Sequence, residues 1–406
     1  MNFTQKDIDY ILSPRAVRES TKKIFQMALD GKTHFKVNLE KLGAVSDYVL
    51  SVIHDNYPDL KIPFHSRNGH LNAGGVNRTQ QMVEKLGAVS ALDAAKSKID
   101  LIVVSVLLDA GAGDNWKYVE SPEQKIFARS EGLAVASYHM FLAGGFSGDK
   151  NKPLQANSAG LKNLKPADLE KHFQISSSNP LIGVEGRIHL LNQLAVVIEK
   201  HPTIFKNGRI GDMLDVLLQE NSKTLKAVKV LDFVLNYLGD IWPSRLRLGS
   251  VSLGDVWNYS GFGKPNSTEG LVAFHKLSQW LTYSLLVPII EMGVTVEGVD
   301  ELTGLAEYRN GGLFIDAGLI ELRNSELLKK KHAPETDLVI EWRALTVSLL
   351  DLIGDKIREK LKMTKEELPL AKVLEGGTWH AGRKIAKEKR PGGEPPLNII
   401  SDGTVF

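Results

Sequence analysis

Cysteine is missing from all 406 residues, which removes disulfides, thiolate nucleophiles and sulfur-ligated zinc or iron–sulfur centres from the available chemistry. Histidine and carboxylate are left as metal ligands, and catalysis falls to oxygen and nitrogen groups. Neither sign of charge is in excess. With 50 Lys and Arg against 48 Asp and Glu, the formal charge is +2, so the chain has no electrostatic footprint for nucleic acid or an anionic membrane. No apolar run approaches the roughly 20 residues of a membrane span. Met1 to Asp9 lack the basic start and apolar run of an export signal. No internal repeat or low-complexity tract stands out, and nothing supplies the third glycine of a dinucleotide-binding fingerprint. At 43% hydrophobic and 24% charged, the composition is that of an ordinary globular protein. A cytoplasmic enzyme or binding protein is the expectation, with oligomeric state left open.

What is present is mostly helical periodicity. Ser13-Pro14 reads as a cap followed by proline at the first helical position, and Val45, Val49, Val52 and Ile53 keep helical spacing until Pro58 and Pro63 end the segment. Ile62 to Gly75 is polar, glycine-bearing and of neither period, so a loop is expected there. Ile99 to Asp109 is the most apolar run of the chain, and periodicity cannot separate a buried helix from a buried strand in it. Ser130 reads as the cap of a helix reaching Leu142 before Gly144-Gly145, and further helices are expected around 181–200 and 211–220. Thr268 reads as the cap of a long helix carrying Leu271, Phe274, Leu277, Leu281 and Leu285. Leu338, Trp342, Leu345, Leu349 and Leu352 repeat that pattern over 337–361. Gly311–Leu322 and Leu397–Phe406 are the expected strands or extended pieces. Residues 146–166, rich in Gly, Asn, Lys, Ser and Pro, mark a boundary between a helical lobe 1–155 and a second, 156–406. The fold class is therefore mainly α, two-lobed, with a few short strands and an active site in the cleft between lobes.

Several charged residues fall in apolar places. Glu341 lies beside the stripe of its helix, where an unpaired carboxylate would cost several kcal/mol, so it needs either a structural ion-pair partner or a chemical task. Leu302-Thr-Gly-Leu-Ala-Glu-Tyr-Arg-Asn-Gly-Gly312 sets Glu307, Tyr308 and Arg309 beside paired glycines. This fits a carboxylate with an anion clamp, and equally a glycine-capped helix end. Lys276 and Trp280 share a helical face, with the lysine either a solvated rim charge or a desolvated amine, and His275 is open to the same two readings. His65 and His70 match no zinc spacing. Leu107-Leu-Asp-Ala-Gly-Ala-Gly113 is similar to the ribose-phosphate loop of phosphoribosyltransferases, but that loop has two adjacent acids after an apolar strand and only Asp109 stands here.

Phe127-Ala-Arg-Ser-Glu-Gly-Leu-Ala-Val-Ala136, Phe274-His-Lys-Leu-Ser-Gln-Trp-Leu-Thr-Tyr-Ser284, Leu302 to Gly312, Leu374-Glu-Gly-Gly-Thr-Trp379 and Ser401-Asp-Gly-Thr-Val-Phe406 together resemble the uracil catabolism protein 4 family of fungi and bacteria, over essentially the whole chain. The resemblance implies a part in the ring-opening route of uracil breakdown that passes through ribosylurea. A more distant resemblance is to the queuosine salvage proteins, which hydrolyse the N-glycosidic bond of queuosine-5'-phosphate on a helical fold akin to DNA glycosylases. Their Phe-Tyr-Lys-Arg-Ala-Gln, Ala-Asp-Tyr-Arg and Glu-Ile-Arg segments are similar, in order and in spacing, to Phe274–Gln279, Ala306–Arg309 and Glu341–Arg343. That resemblance implies a DNA-glycosylase-like helical core and puts the active-site lysine and acid on Lys276 and Glu307. Glu replaces Asp here, and His275 replaces Tyr.

Breaking a ribosyl C–N bond passes through an oxocarbenium-like transition state, so a carboxylate near C1' and a donor for the departing nitrogen are needed. The resemblance puts Glu307 and Lys276 at the site. Glu307 suits the carboxylate role, and Lys276 is open to lowering the acid's pKa, donating to the leaving group or forming a transient Schiff base, with the electrostatic role preferred because hydrolysis needs no lasting covalent bond. Glu341, Asp109 and Asp316 are candidates to hold urea, and Arg309, Arg67 and His70 to hold a 5'-phosphate, with Tyr308, His275 and Trp280 lining the site. The expected partner is a small ribosyl or ribosyl-phosphate molecule, and no metal or organic cofactor is called for. A uracil phosphoribosyltransferase, an amide or ureido hydrolase of the same route, and a non-catalytic scaffold are the alternatives.

Overall fold

The computed structural model describes residues 4–109, 111–113, 115–218, 223–242, 245–264 and 267–400. These are mainly α-helical, and among them strands pair only two at a time. Contacts divide the chain into two units: Met1–His65, Ser244–Trp280 and Gly298–Phe406 form the first, Ser66–Pro243 and Leu281–Glu297 the second. The division therefore crosses the chain four times rather than once near residue 155. The physical reason lies in Asp100, a buried carboxylate of the second unit that accepts from Arg209 Nε at 2.9 Å, the Ala156 amide at 3.0 Å and the Gly211 amide at 2.7 Å. It ties the polar 146–166 stretch into that unit.

In the first unit the helix Pro14–Leu29 starts as expected, with the Ser13 side chain accepting from the Ala16 amide at 3.2 Å. It packs on the helix Asp337–Leu361, whose Leu338, Trp342, Leu345 and Leu349 are buried. The helix expected from Thr268 begins later. Thr268–Gly270 is a single 3-10 turn, Leu271–Ala273 is a strand paired antiparallel with Val256–Asn258, and the helix runs Lys276–Glu291. Leu271, Val272 and Ala273 are all buried, and a short strand buried on both faces mimics helical spacing.

The Gly311–Leu322 expectation is likewise corrected. Tyr308–Asp316 is a helix, and only Ile320–Leu322 is a strand, paired with Phe35–Val37. Its glycines serve close packing: a Cβ at Gly311 would stand 2.7 Å from the Trp342 ring. Asn398–Ile399 pairs in parallel with Lys331–His332, and the rest of the C-terminal expectation, residues 401–406, lies outside the described residues. The helix Trp379–Lys389 packs on Tyr308–Asp316 so closely that a Cβ at Gly382 would lie 2.2 Å from the Arg309 carbonyl oxygen. Gly382→Ala is therefore expected to cost about 1–3 kcal/mol through overpacking, read as a lowered midpoint in thermal denaturation.

In the second unit the Ile99–Leu107 run proves to be helix, part of Ala91–Leu107 and buried throughout that stretch. Within the segment expected as loop, Arg67–Leu71 is a short helix and Ala73–Gly75 a turn. Side-chain anchoring explains the order: the Arg67 amide donates to Ser284 Oγ at 2.8 Å and Asn68 Nδ2 to the Ser284 carbonyl at 3.0 Å. The helix Arg129–Leu142 starts before Ser130 and has no side-chain cap. Helices Val184–Lys200 and Met213–Leu217 follow, with 219–222 outside the described residues. Among the described residues no helix is long and apolar enough to cross a membrane.

Candidate active site

Asp255 and Arg343 organise the polar part of the first unit. Arg343 lies inside the long helix Asp337–Leu361, almost wholly buried, and its guanidinium makes a bidentate pair with Asp255, Nη1 to Oδ1 at 2.7 Å and Nη2 to Oδ2 at 2.6 Å. It also stands 4.0 Å over the Phe274 ring. Burial pushes the Asp255 carboxyl up, but Arg343 and the hydrogen bonds from Trp257 and the Lys276 amide outweigh that and hold it well below the usual carboxylate range.

This pair ties two distant segments together. Asp255 Oδ2 accepts from the Lys276 amide at 3.0 Å, at the first residue of its helix. Arg343 Nε donates to the Ala306 carbonyl at 3.3 Å, just before Glu307. A second tether runs parallel, since Gln279 Nε2 donates to Thr303 Oγ1 at 2.7 Å and the Thr303 amide donates back to Gln279 Oε1 at 3.1 Å. Lys276 and Glu307 thus sit on segments joined twice, one turn of helix apart on one side and four residues apart on the other.

Glu307 is buried and caps the helix Tyr308–Asp316: Oε1 accepts from the Asn310 amide at 2.6 Å and Oε2 from the Arg309 amide at 2.8 Å. Two backbone donors fix the carboxylate's direction. Each oxygen thus accepts one of the two hydrogen bonds it can take. Arg309 Nη1 donates to the Gly393 carbonyl at 2.7 Å, and its guanidinium packs 5.0 Å from the Tyr308 ring.

Glu341, Asp316, His275 and Trp280 are held within the fold. Glu341 is buried, accepting from the His34 amide at 2.7 Å, from His34 Nδ1 at 2.9 Å and from the Tyr259 hydroxyl at 2.8 Å. Burial first, then the Glu341 carboxylate, push the Tyr259 phenol far up. Asp316 forms a bidentate pair with Arg390. His275 is buried at a left-handed φ of 51°, and its Nε2 bonds the Ile11 carbonyl at 2.8 Å. Burial pushes this imidazole's pKa down. Trp280 is buried in the helix Lys276–Glu291. His65 pairs with Glu375 at 2.7 Å.

Arg67, His70 and Asp109 come together in the second unit. Arg67 Nη1 lies 2.8 Å from Asp109 Oδ1, the Ser130 hydroxyl donates to Asp109 at 2.7 Å, and His70 Nδ1 stands 3.0 Å from Ser130 Oγ. Arg187, buried nearby with Nη2 on the Gly111 carbonyl at 3.2 Å, is pushed down to about 10 by burial and by the positive charge of Arg67, against the pull of Asp109. Asp109 follows a helix, so the strand that precedes a phosphoribosyltransferase loop is missing.

Asp255, Ser130 and Arg187 were not anticipated. Asp255, an acid between Leu253 and Val256 after a glycine, carried the same buried-charge signal that singled out Glu341.

Comparison with known proteins agrees with the sequence motifs. A family model described as "Protein of unknown function (DUF1688)" matches residues 10–406. Uracil catabolism protein 4 of Lachancea kluyveri is 40% identical over 436 aligned positions, 98% of this chain and 99% of the relative. Protein urg3 of Schizosaccharomyces pombe is 38% identical over 406 positions, 98% of each. The chain belongs to the DUF1688 family and, across nearly its full length, to the family of uracil catabolism protein 4.

Proposed function

We propose that the chain acts in uracil catabolism as an N-ribosyl hydrolase, cleaving ribosylurea or its 5'-phosphate to urea and ribose or ribose phosphate. The observation that carries the reading is the double tether, Asp255–Arg343–Ala306 and Gln279–Thr303, that joins the segments of Lys276 and Glu307. The pathway comes from the name of the 40% identical relative. Glu307 stabilises positive charge developing at C1' and takes a proton from the attacking water. Lys276 supplies positive charge on the leaving-group side. Water adds its oxygen to C1', the C1'–N bond breaks with its electron pair going to nitrogen, and that nitrogen gains a proton, so that substrate plus water gives sugar plus urea. Arg309 is the candidate for a 5'-phosphate, by charge and by its place in the first turn after Glu307. Asp316 and Glu341 drop out of urea recognition, because Arg390 already neutralises the first through a bidentate pair and the second accepts three hydrogen bonds from His34 and Tyr259.

The test is release of urea when purified protein meets ribosylurea and ribosylurea 5'-phosphate in separate incubations. Urea from either supports the reading, and the preferred one gives the phosphorylation state. No urea from folded wild type ends it. Pyrophosphate released from uracil and an activated ribose phosphate would point to transfer, and ammonia appearing directly would point to a ureido hydrolase.

A further inference from the structure

Leu374-Glu-Gly-Gly-Thr378, one of the motifs singled out in the sequence, forms a π-helical turn between the helices Leu370–Val373 and Trp379–Lys389. A π turn inserts a residue into an α-helix and is frequently found at functional sites. Its glycines are demanded by packing, since a Cβ at Gly377 would stand 2.6 Å from Val49 and one at Gly376 3.0 Å from Ile62. Packing does not demand Glu375. Its carboxylate meets His65 Nδ1 at 2.7 Å, the Tyr57 hydroxyl at 3.4 Å and His380 Nε2 at 3.9 Å, and the His65 ring packs 5.5 Å from Trp379. His65 is 4% exposed, with its amide held by the Ala371 carbonyl at 2.9 Å. Its Nε2 makes no hydrogen bond among the described residues. This turn and the helix that follows it pack on Tyr308–Asp316, the helix that Glu307 caps.

We infer that His65, oriented by Glu375, is the acid that protonates the departing nitrogen in the reaction proposed above; the inference rests on that reading. A carboxylate on Nδ1 fixes that nitrogen as the donor to the protein and leaves Nε2 to face the substrate. In the step, Nε2–H gives its proton to the nitrogen leaving C1', the electron pair of the C1'–N bond becomes the N–H bond, and water's oxygen takes the vacated place on C1' while Glu307 receives water's proton. Proton return from Glu307 to His65 through solvent closes the cycle with no net change in the protein. His65 is the catalytic residue and Glu375 its positioning residue.

Two substrates separate the acid from a merely structural pair. With ribosylurea, His65→Gln and Glu375→Gln are expected to lower kcat about a hundredfold or more with little change in KM. With p-nitrophenyl riboside, whose leaving group departs without protonation, both variants should keep activity within a fewfold of wild type. Equal losses on both substrates, or no loss on ribosylurea, overturn the inference. Failure of wild type to cleave either substrate sinks the proposed function instead. In that event the far-downfield imidazole N–H resonance expected from the Nδ1–H to carboxylate bond decides the dyad: its presence in wild type and loss in Glu375→Gln support it, and its absence from wild type overturns it.

Discussion

Glu307→Gln is expected to lower turnover by about two to four orders of magnitude, the usual worth of a general base, in a protein that stays folded. The substitution keeps the side chain's size and one acceptor oxygen, so one of the two capping bonds survives. The other amide, from Arg309 or Asn310, then faces an NH2 group. Losing part of a helix cap costs about 1 kcal/mol, against a total stability of about 5–15 kcal/mol. Urea production and circular dichroism on the same preparation check both halves. A variant that unfolds, or one that turns over like wild type, would make the carboxylate a cap and nothing more.

Asp255→Ala should give the largest loss of stability, about 3–5 kcal/mol, because it leaves the Arg343 guanidinium buried without a counter-charge. Asp255→Ala combined with Arg343→Met should cost less than the sum of the two single changes, read by chemical denaturation as a double-mutant cycle. The sign of the pH effect follows from the direction of the shift. The Asp255 carboxyl is held below its ordinary value in the folded chain. Its contribution is therefore complete above the unfolded carboxyl's pKa of about 3.9 and is lost as the pH falls toward the folded value. The single variant should accordingly lose less stability than wild type on acidification in that range. It should also lose activity beyond its loss of folded protein, because Asp255 anchors the amide of Lys276.

How much could be read from the sequence depended on how local the cause was. Ser13-Pro14 and the stripe of Asp337–Leu361 were legible because a cap and a helical face are settled within a few residues. Thr268 misled because three consecutive buried strand residues, Leu271 to Ala273, reproduce helical spacing by accident. Ser130 misled because its hydroxyl serves Asp109, far away in sequence, rather than its own helix. The Asp255–Arg343 pair joins residues 88 positions apart, and nothing in either segment names the other. Lys276 and Glu307 were paired by motif order, since no local rule links the two segments. Glu341 was read correctly as a charge that needs a partner, although which partner, His34 or Tyr259, only packing could determine.

The central claim is that the bond broken is the one between ribose C1' and nitrogen. Ribosylurea labelled with carbon-13 at the ureido carbon tests it directly when followed by carbon-13 NMR in the presence of the purified chain. The account predicts that the label moves into free urea, and that Glu307→Gln stops the transfer without unfolding the protein. Label appearing as bicarbonate, or remaining in ribosylurea while the wild-type protein is folded, would contradict it.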